Sequence, residues 1–210
     1  MSVWAIVVAA GDGSRFGGAK QFARLAGRSL VERAVATARE ACDGVVVVLP
    51  PDGQWVPPEG VATVTGGVTR SESVRAGLRA VPPDAETIVV HDAARPLATR
   101  ALFLAAVRAV EAGADAAIPA IPVADTVKRV SGGRVVETVA RDGLHAVQTP
   151  QAFRAEVLRD AHAGGATGTD DAALVEAAGW TVVVVEGEAR NIKVTVATDL
   201  ELIDGLMGAE

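Results

Sequence analysis

The chain has 210 residues, half of them hydrophobic, which is enough for one buried core and excludes a disordered chain. Only 3% are aromatic, so alanine and valine must fill the interior, as suits parallel strands packed on helices. A formal net charge of -6 carries no globally basic footprint, so no nucleic-acid partner is expected, although a local Lys/Arg cluster can still hold phosphates in a mildly acidic chain.

Cys42 is the single cysteine, which excludes a disulfide framework and a cysteine metal site; it reads as a small buried residue. The opening MSVWAIVVAAGDG has no positive leader, and no stretch approaches the ~20 apolar residues of a membrane span. A soluble cytoplasmic protein with no membrane partner is the expectation.

Strand and helix signals alternate. Val3 to Ala9 reads as a buried first strand ending in glycines. Ser29-Leu30-Val31-Glu32 is a capping box that opens a helix to about Cys42, and Val45 to Leu49 is a second strand. Residues 50–60 hold four prolines and two glycines and read as a loop. Thr69-Arg70-Ser71-Glu72 caps a helix to about Ala80, and Thr87 to Val90 is a strand ending at His91-Asp92. A helix over about 100–112 and a strand over 116–121 follow.

The pattern then changes. Thr126 to Val130 and Arg134 to Val139 alternate apolar and polar residues around Ser131-Gly132-Gly133, which predicts a β-hairpin inserted in a βα chain. Helices are expected at about 155–163 and 170–178, a strand at 181–185, an apolar strand carrying Lys193, and a last helix capped at Thr198. The alternation predicts a three-layer, Rossmann-like α/β fold with a mostly parallel sheet, in one domain over 1–210 with the hairpin arm at about 123–146. Ligands in such sheets bind beyond the carboxyl ends of the strands, so the residues there are the candidates.

After the first strand comes AAGDGSRFGGAK. Its small residues, Gly11 and Gly13 among them, let backbone approach phosphate oxygens, while Arg15 can fork two donors onto a phosphate and Lys20 adds a compact charge; a glycine-rich βα turn with two solvated cations is the alternative. The string lacks the Gly-Lys-Ser/Thr ending of a Walker loop, and Phe16 replaces the third glycine of the dinucleotide fingerprint, which argues against an NAD enzyme. His91-Asp92-Ala93-Ala94-Arg95 follows a later strand. Asp92 there can hold Mg2+ directly or through water, bind a substrate hydroxyl, or cap a turn; His91 reads as structural. Gly66-Gly67 with Arg70 to Ser73 opens a helix whose donors could read a nucleobase edge, with capping as the plainer explanation. Lysine is rarely buried without a partner, so a negative group in a pocket would explain Lys193, with a snorkelling lysine on an edge strand as the alternative.

Together these strings resemble the 2-C-methyl-D-erythritol 4-phosphate cytidylyltransferases of the non-mevalonate isoprenoid pathway, in the family's order and over nearly the whole chain: AAGDGSRFGGAKQF, TGGVTRSESV, VHDAARPL, PVADTVKRV, AVQTPQAF, GTDDAALVEAAG and VEGEARNIKVT. The first marks the wider nucleotidyltransferase class, and the later ones are more specific. The resemblance implies that Arg15, Lys20 and Lys193 are catalytic cations, and that Ala9, Ala10, Gly11, Gly13, Gly67, Ser73, Asp92 and Ala93 surround the CTP. It assigns Asp92, Arg95, Thr126, Arg141, Thr149, Thr169 and Thr195 to the methylerythritol phosphate site. It further implies Mg2+ carried by the CTP phosphates, and a homodimer in which the arm brings Thr126 and Arg141 to the partner's site. Ala19 stands where the family often has proline, and Val68 where some relatives have an acidic residue; neither removes a catalytic charge. A cytidylyltransferase for another polyol phosphate, such as ribitol 5-phosphate, would share the glycine-rich loop, and a nucleotide-sensing module would need the phosphate cradle without three converging cations.

Overall fold

The first strand, β1 (Val3–Val8), lies at the centre of the sheet because neither of its faces meets water: Ala5, Ile6 and Val7 are fully buried. This computed structural model describes residues 1–207. After the glycine-rich loop come a 3-10 turn (Lys20–Phe22) and the short strands β2 (Arg24–Leu25) and β3 (Arg28–Ser29). Helix α1 (Leu30–Ala41) begins at the expected capping box, with the Glu32 N–H donating to Ser29 Oγ at 3.3 Å and the Ser29 N–H to Glu32 Oε2 at 2.5 Å. Strand β4 (Gly44–Leu49) follows, then β5 (Val61–Thr65), a sheet-edge strand for which the sequence carries no clear signal. Helix α2 (Arg70–Ala80) starts at the Thr69/Glu72 capping box.

Strand β6 (Thr87–Asp92) is buried at every position, α3 (Arg100–Glu111) returns along the sheet, and β7 (Ala116–Pro122) follows. The expected hairpin is β8 (Val127–Ser131) and β9 (Arg134–Val139), joined through Gly132 and Gly133 at φ 54° and 75°, the left-handed pair a two-residue turn needs. Like β2, β3 and β5, two further strands carry no clear sequence signal: β10 (His145–Val147) and β11 (Gln151–Arg154). Helices α4 (Ala155–Ala163) and α5 (Asp171–Ala177), strand β12 (Val182–Glu186) and helix α6 (Thr198–Met207) complete the order.

Eight strands make the main sheet, in the path β10-β7-β11-β6-β1-β4-β5 with β12 on β7. β1 pairs in parallel with β4 and β6, β4 with β5, and β7 with β12, while β10 and β11 run antiparallel. One face packs against α1 and α3 through residues such as Val35 and Phe103; the other packs against α2, α4 and α5 through Val74, Leu158 and Val175. That is the three-layer α/β arrangement. A third, small cluster (Leu25, Leu30, Val194, Ile203) ties β2, α1 and α6 together, with Phe16 of the glycine-rich loop packed against it.

Two expectations change. Residues 187–197 form no strand, so Lys193 sits on irregular chain after β12 and its charge is not enclosed within a strand. Thr198 does not cap α6; it is the helix's first residue, and the Asp199 carboxylate accepts the Thr195 and Val196 N–H groups at 2.6 and 2.9 Å. A carboxylate satisfies those donors more strongly than a hydroxyl would. No helix among the described residues is long and apolar enough to cross a membrane.

Candidate active site

A cleft of about 990 Å³ opens where β1, β4, β5 and β6 end, at the carboxyl edge of the parallel strands. The parallel register puts Val8 beside Asp92, so the glycine-rich loop leaving β1 and the segment leaving β6 emerge side by side. Twelve of the residues singled out from sequence line this cleft: Ala9, Ala10, Gly11, Gly13, Arg15, Lys20, Gly67, Ser73, Asp92, Ala93, Lys193 and Thr195.

The glycine-rich loop folds around one carbonyl. The N–H groups of Phe16, Gly17 and Gly18 converge on Gly13 O at 2.8, 3.0 and 3.3 Å. Gly13 has φ 66°, and a Cβ there would lie 1.8 Å from Gly18 O, so only glycine fits. The turn sends Arg15 outward into the cleft while Phe16 packs against the α6 cluster. The Ala9 N–H donates to Val48 O at 2.8 Å, so any ligand contact of Ala9 comes through its carbonyl or methyl group and not the N–H. On the opposite wall Ser73 is buried, its hydroxyl accepting from the Gly67 N–H at 3.2 Å and donating to Thr69 O at 3.0 Å. A Cβ at Gly66 would meet Ala10 at 2.5 Å, and one at Gly67 would meet Glu72 at 2.3 Å. This wall is therefore held open by close backbone packing.

Between the walls sits Asp92, buried at the end of β6. Lys193 Nζ donates to its Oδ2 at 2.6 Å, and Arg70 Nε to its Oδ1 at 3.2 Å. Burial opposes ionisation of Asp92, but Arg70 and then Lys193 outweigh it and hold the carboxyl well below the usual carboxylate range. Lys20 donates to Val194 O at 3.0 Å. Burial, then the neighbouring charges of Lys193 and Arg15, weaken its hold on its proton, with Asp92 and Asp199 acting the other way. Three cations from positions 15, 20 and 193 thus feel one another across a single cleft.

Arg70 is the cation the sequence reading missed. Its place in a capping box gave it a sufficient local explanation, and its carboxylate partners lie 22 and 101 residues away. Asp12, Pro50, Pro51, Asp52 and Thr69 also line the cleft without having been singled out as ligands. His91 is fully buried, in contact with Thr149 Oγ1 at 3.1 Å and Phe103 at 5.0 Å between ring centres, and burial pushes its pKa down to about 4. It is structural, as its sequence position suggested.

Five expected substrate residues do not line this cleft. The Thr149 hydroxyl is buried and accepts the Asp92 N–H at 3.1 Å. Arg95 donates to Asn191 O at 2.6 Å and Val147 O at 3.2 Å. Thr169 is exposed beside the start of α5. Thr126 and Arg141 flank the hairpin, exposed, with Arg141 bonded to Ala124 O. Cys42 is half-buried and its thiol is pushed up to about 12, chiefly by burial.

A metal held by protein alone is not built here: among the described residues no group of three or more His, Cys, Asp or Glu gathers. Mg2+ is commonly held by one or two carboxylates with substrate phosphates and water; Asp92 is an ionised carboxylate at the cleft, but its two oxygens already carry Lys193 and Arg70.

A parallel α/β sheet whose carboxyl edge brings a glycine-rich loop, several cations and one carboxylate around a nucleotide-sized cleft is the architecture of a nucleotidyltransferase. The family model described as "IspD: 2-C-methyl-D-erythritol 4-phosphate cytidylyltransferase" matches residues 3–209, and the chain belongs to that family. A protein of that name from Frankia casuarinae is 45% identical over 98% of this chain and 81% of its own length. A bifunctional IspD/IspF enzyme from Agrobacterium fabrum is 40% identical over 95% of the chain; the chain spans about half (55%) of that longer relative. The crystal structure of 2-C-methyl-D-erythritol 4-phosphate cytidylyltransferase from Thermus thermophilus superposes with a TM-score of 0.85 at 36% identity, covering 97% of this chain and 98% of the other.

Proposed function

We propose that this cleft transfers CMP from CTP to 2-C-methyl-D-erythritol 4-phosphate, giving 4-diphosphocytidyl-2-C-methyl-D-erythritol and pyrophosphate. The observation that carries the reading is the convergence of Arg15, Lys20 and Lys193 on one cleft beside Asp92. An oxygen of the acceptor's phosphate attacks the α-phosphorus in line, the new O–P bond forms, and the bond to the β-phosphate oxygen breaks with its electron pair leaving on pyrophosphate. The attacking phosphate has a second pKa of about 6 and is already an anion near neutrality, so no strong general base is needed. This agrees with a buried, neutral His91.

The barrier is the meeting of two polyanions. Arg15 and Lys20 would hold the triphosphate, and Lys193 would face the α-phosphate; charge placed beforehand in this way is usually the largest catalytic contribution. Ala10, Gly11, Gly13, Gly67, Ser73 and Ala93 would surround the nucleotide, and Thr195 the acceptor. Mg2+ bound to the CTP phosphates would neutralise further phosphate charge.

The arm supports a homodimer reading. A lone two-stranded hairpin is marginal in water, and here Val130, Val135 and Val136 remain 57 to 61% exposed. A second subunit covering them would bring Thr126 and Arg141 to its own cleft, while Arg95, Thr149 and Thr169 would support the acceptor site from behind. We read the chain as one nucleotidyltransferase domain acting in the cytoplasm, in keeping with its composition. The test is pyrophosphate release with each of the four nucleoside triphosphates, with and without 2-C-methyl-D-erythritol 4-phosphate. Release only with CTP and the acceptor together is expected; equal release with ribitol 5-phosphate, or none with either acceptor, would defeat the assignment.

A further inference from the structure

Behind Asp92 the cleft has a second tier of charge that the reaction above leaves unused. Arg70, at the start of α2, reaches two carboxylates at once: Nε to Asp92 Oδ1 at 3.2 Å and one Nη to Asp171 Oδ2 at 2.7 Å. Asp171 is fully buried in the first turn of α5, and its other oxygen accepts from His162 Nε2 at 3.0 Å, on α4. The His162 side chain is 2% exposed. Lys193, Asp92, Arg70, Asp171 and His162 therefore form one continuous chain of contacts, which starts at the cleft and ends among the helices behind the sheet. Asp171 and His162 do not line the cleft.

The arrangement bears on a difficulty at Lys193. Its ammonium rests on Asp92 at 2.6 Å, and although its three donors can be shared, turning toward a phosphate would weaken that contact. If Lys193 were Asp92's only partner, this would leave a buried carboxylate unpaired, and breaking a buried pair from one side is strongly unfavourable. Arg70 removes the difficulty because it stays on Asp92 when the lysine turns away. It can do so because Asp171 and His162 hold the guanidinium in place from behind, and its planar fork satisfies both carboxylates where a single ammonium could not.

We propose that Arg70 is a positioning residue for Lys193: fixed by Asp171 and His162, it retains Asp92 so that the lysine is released to the substrate phosphates. The inference rests on the reading that Lys193 acts on the α-phosphate. Burial alone would weaken Arg70's hold on its proton, but Asp92 and Asp171 more than restore it, so the guanidinium is permanently charged.

The experiment compares the wild type, Arg70→Gln, Arg70→Lys, Asp171→Asn and the double variant Arg70→Gln/Asp171→Asn, with thermal midpoints recorded for each. Arg70→Gln should lower kcat about 10²-fold, the size of effect typical for one lost preorganised donor, while the Kd for CTP moves less than about threefold. Arg70→Lys should recover little of this. Asp171→Asn, nearly isosteric and remote from the ligand, should lower kcat about tenfold, and the double variant should be no worse than Arg70→Gln, as expected for groups acting as a unit. A direct readout is available because the chain has only three lysines, Lys20, Lys128 and Lys193. Nitrogen-15 NMR of the lysine side chains should show the Lys193 signal move when a non-hydrolysable CTP analogue binds the wild type, and stay in place in Arg70→Gln. If Arg70→Gln does not fold, Asp171→Asn and its Lys193 signal decide alone. The proposal is overturned by a kcat within twofold of wild type in Arg70→Gln or Asp171→Asn, by multiplicative losses in the double variant, or by a Lys193 signal that moves normally without Arg70. A wild type that releases no pyrophosphate with CTP and acceptor would instead refute the underlying reading of the site.

Discussion

Strand β6 and the β8–β9 hairpin are both rich in valine, yet they end in opposite situations. β6 is buried along its whole length and carries Asp92 to the cleft, with His91 buried in the core beside it, and it pairs with β1 on one side and β11 on the other. In the hairpin every residue from Lys128 to Ser131 and from Arg134 to Thr138 is exposed, and its strands pair only with each other. The difference shows which parts of the function this chain settles from within. Charges at the end of β6 are fixed by contacts within their own polypeptide, whereas the hairpin's side chains stay largely in solvent.

The largest effect that would sharpen this contrast belongs to the cleft. Lys20→Ala should reduce kcat by about 10²–10³-fold and raise the KM for CTP far less, because its charge matters most as the transition state forms. Steady-state kinetics decide it, and an unchanged kcat would remove Lys20 from the set. Next comes the stability of the core beside the cleft. Burial pushes His91 from the ordinary 6.5 down to about 4. Between those values the unfolded chain takes up a proton that the folded chain refuses, so this contribution is complete above pH 6.5. It falls as the pH drops toward 4, by roughly 3 kcal/mol in all. Urea midpoints followed against pH should show the slope in the wild type and lose it in His91→Gln; an identical slope in both would mean the acid sensitivity originates elsewhere. The smallest effect is on the arm. Arg141→Ala should raise the KM for 2-C-methyl-D-erythritol 4-phosphate by about tenfold or more, the usual worth of a hydrogen bond to a charged group, and leave CTP binding alone. Equal loss of both affinities would break the division between cleft and arm.

Legibility in the sequence followed the range of the interactions. The capping boxes at Ser29 and Thr69, the Gly132-Gly133 turn and the grouping of Arg15 with Lys20 are local, and each could be read because its partners lie within a few residues. β10 and β11 are short, and they and the edge strand β5 take their strand identity from a neighbour's backbone. Lys193 was noticed for its charge but placed on a strand; what holds it is Asp92, 101 residues earlier.

The sequence by itself determined the alternation of strands and helices, the phosphate-friendly loop after β1 and the presence of enough cations for polyanion chemistry, because periodicity, glycine and charge act at short range. Only the tertiary structure decided that Asp92 is shared between Lys193 and Arg70, that Arg70 is held by Asp171, and that Thr149 serves Asp92's backbone. The physical reason is that parallel crossovers bring strand ends together from distant parts of the chain. Ion pairs in that crowded, poorly hydrated place depend on distance in space, which no spacing along the polypeptide records.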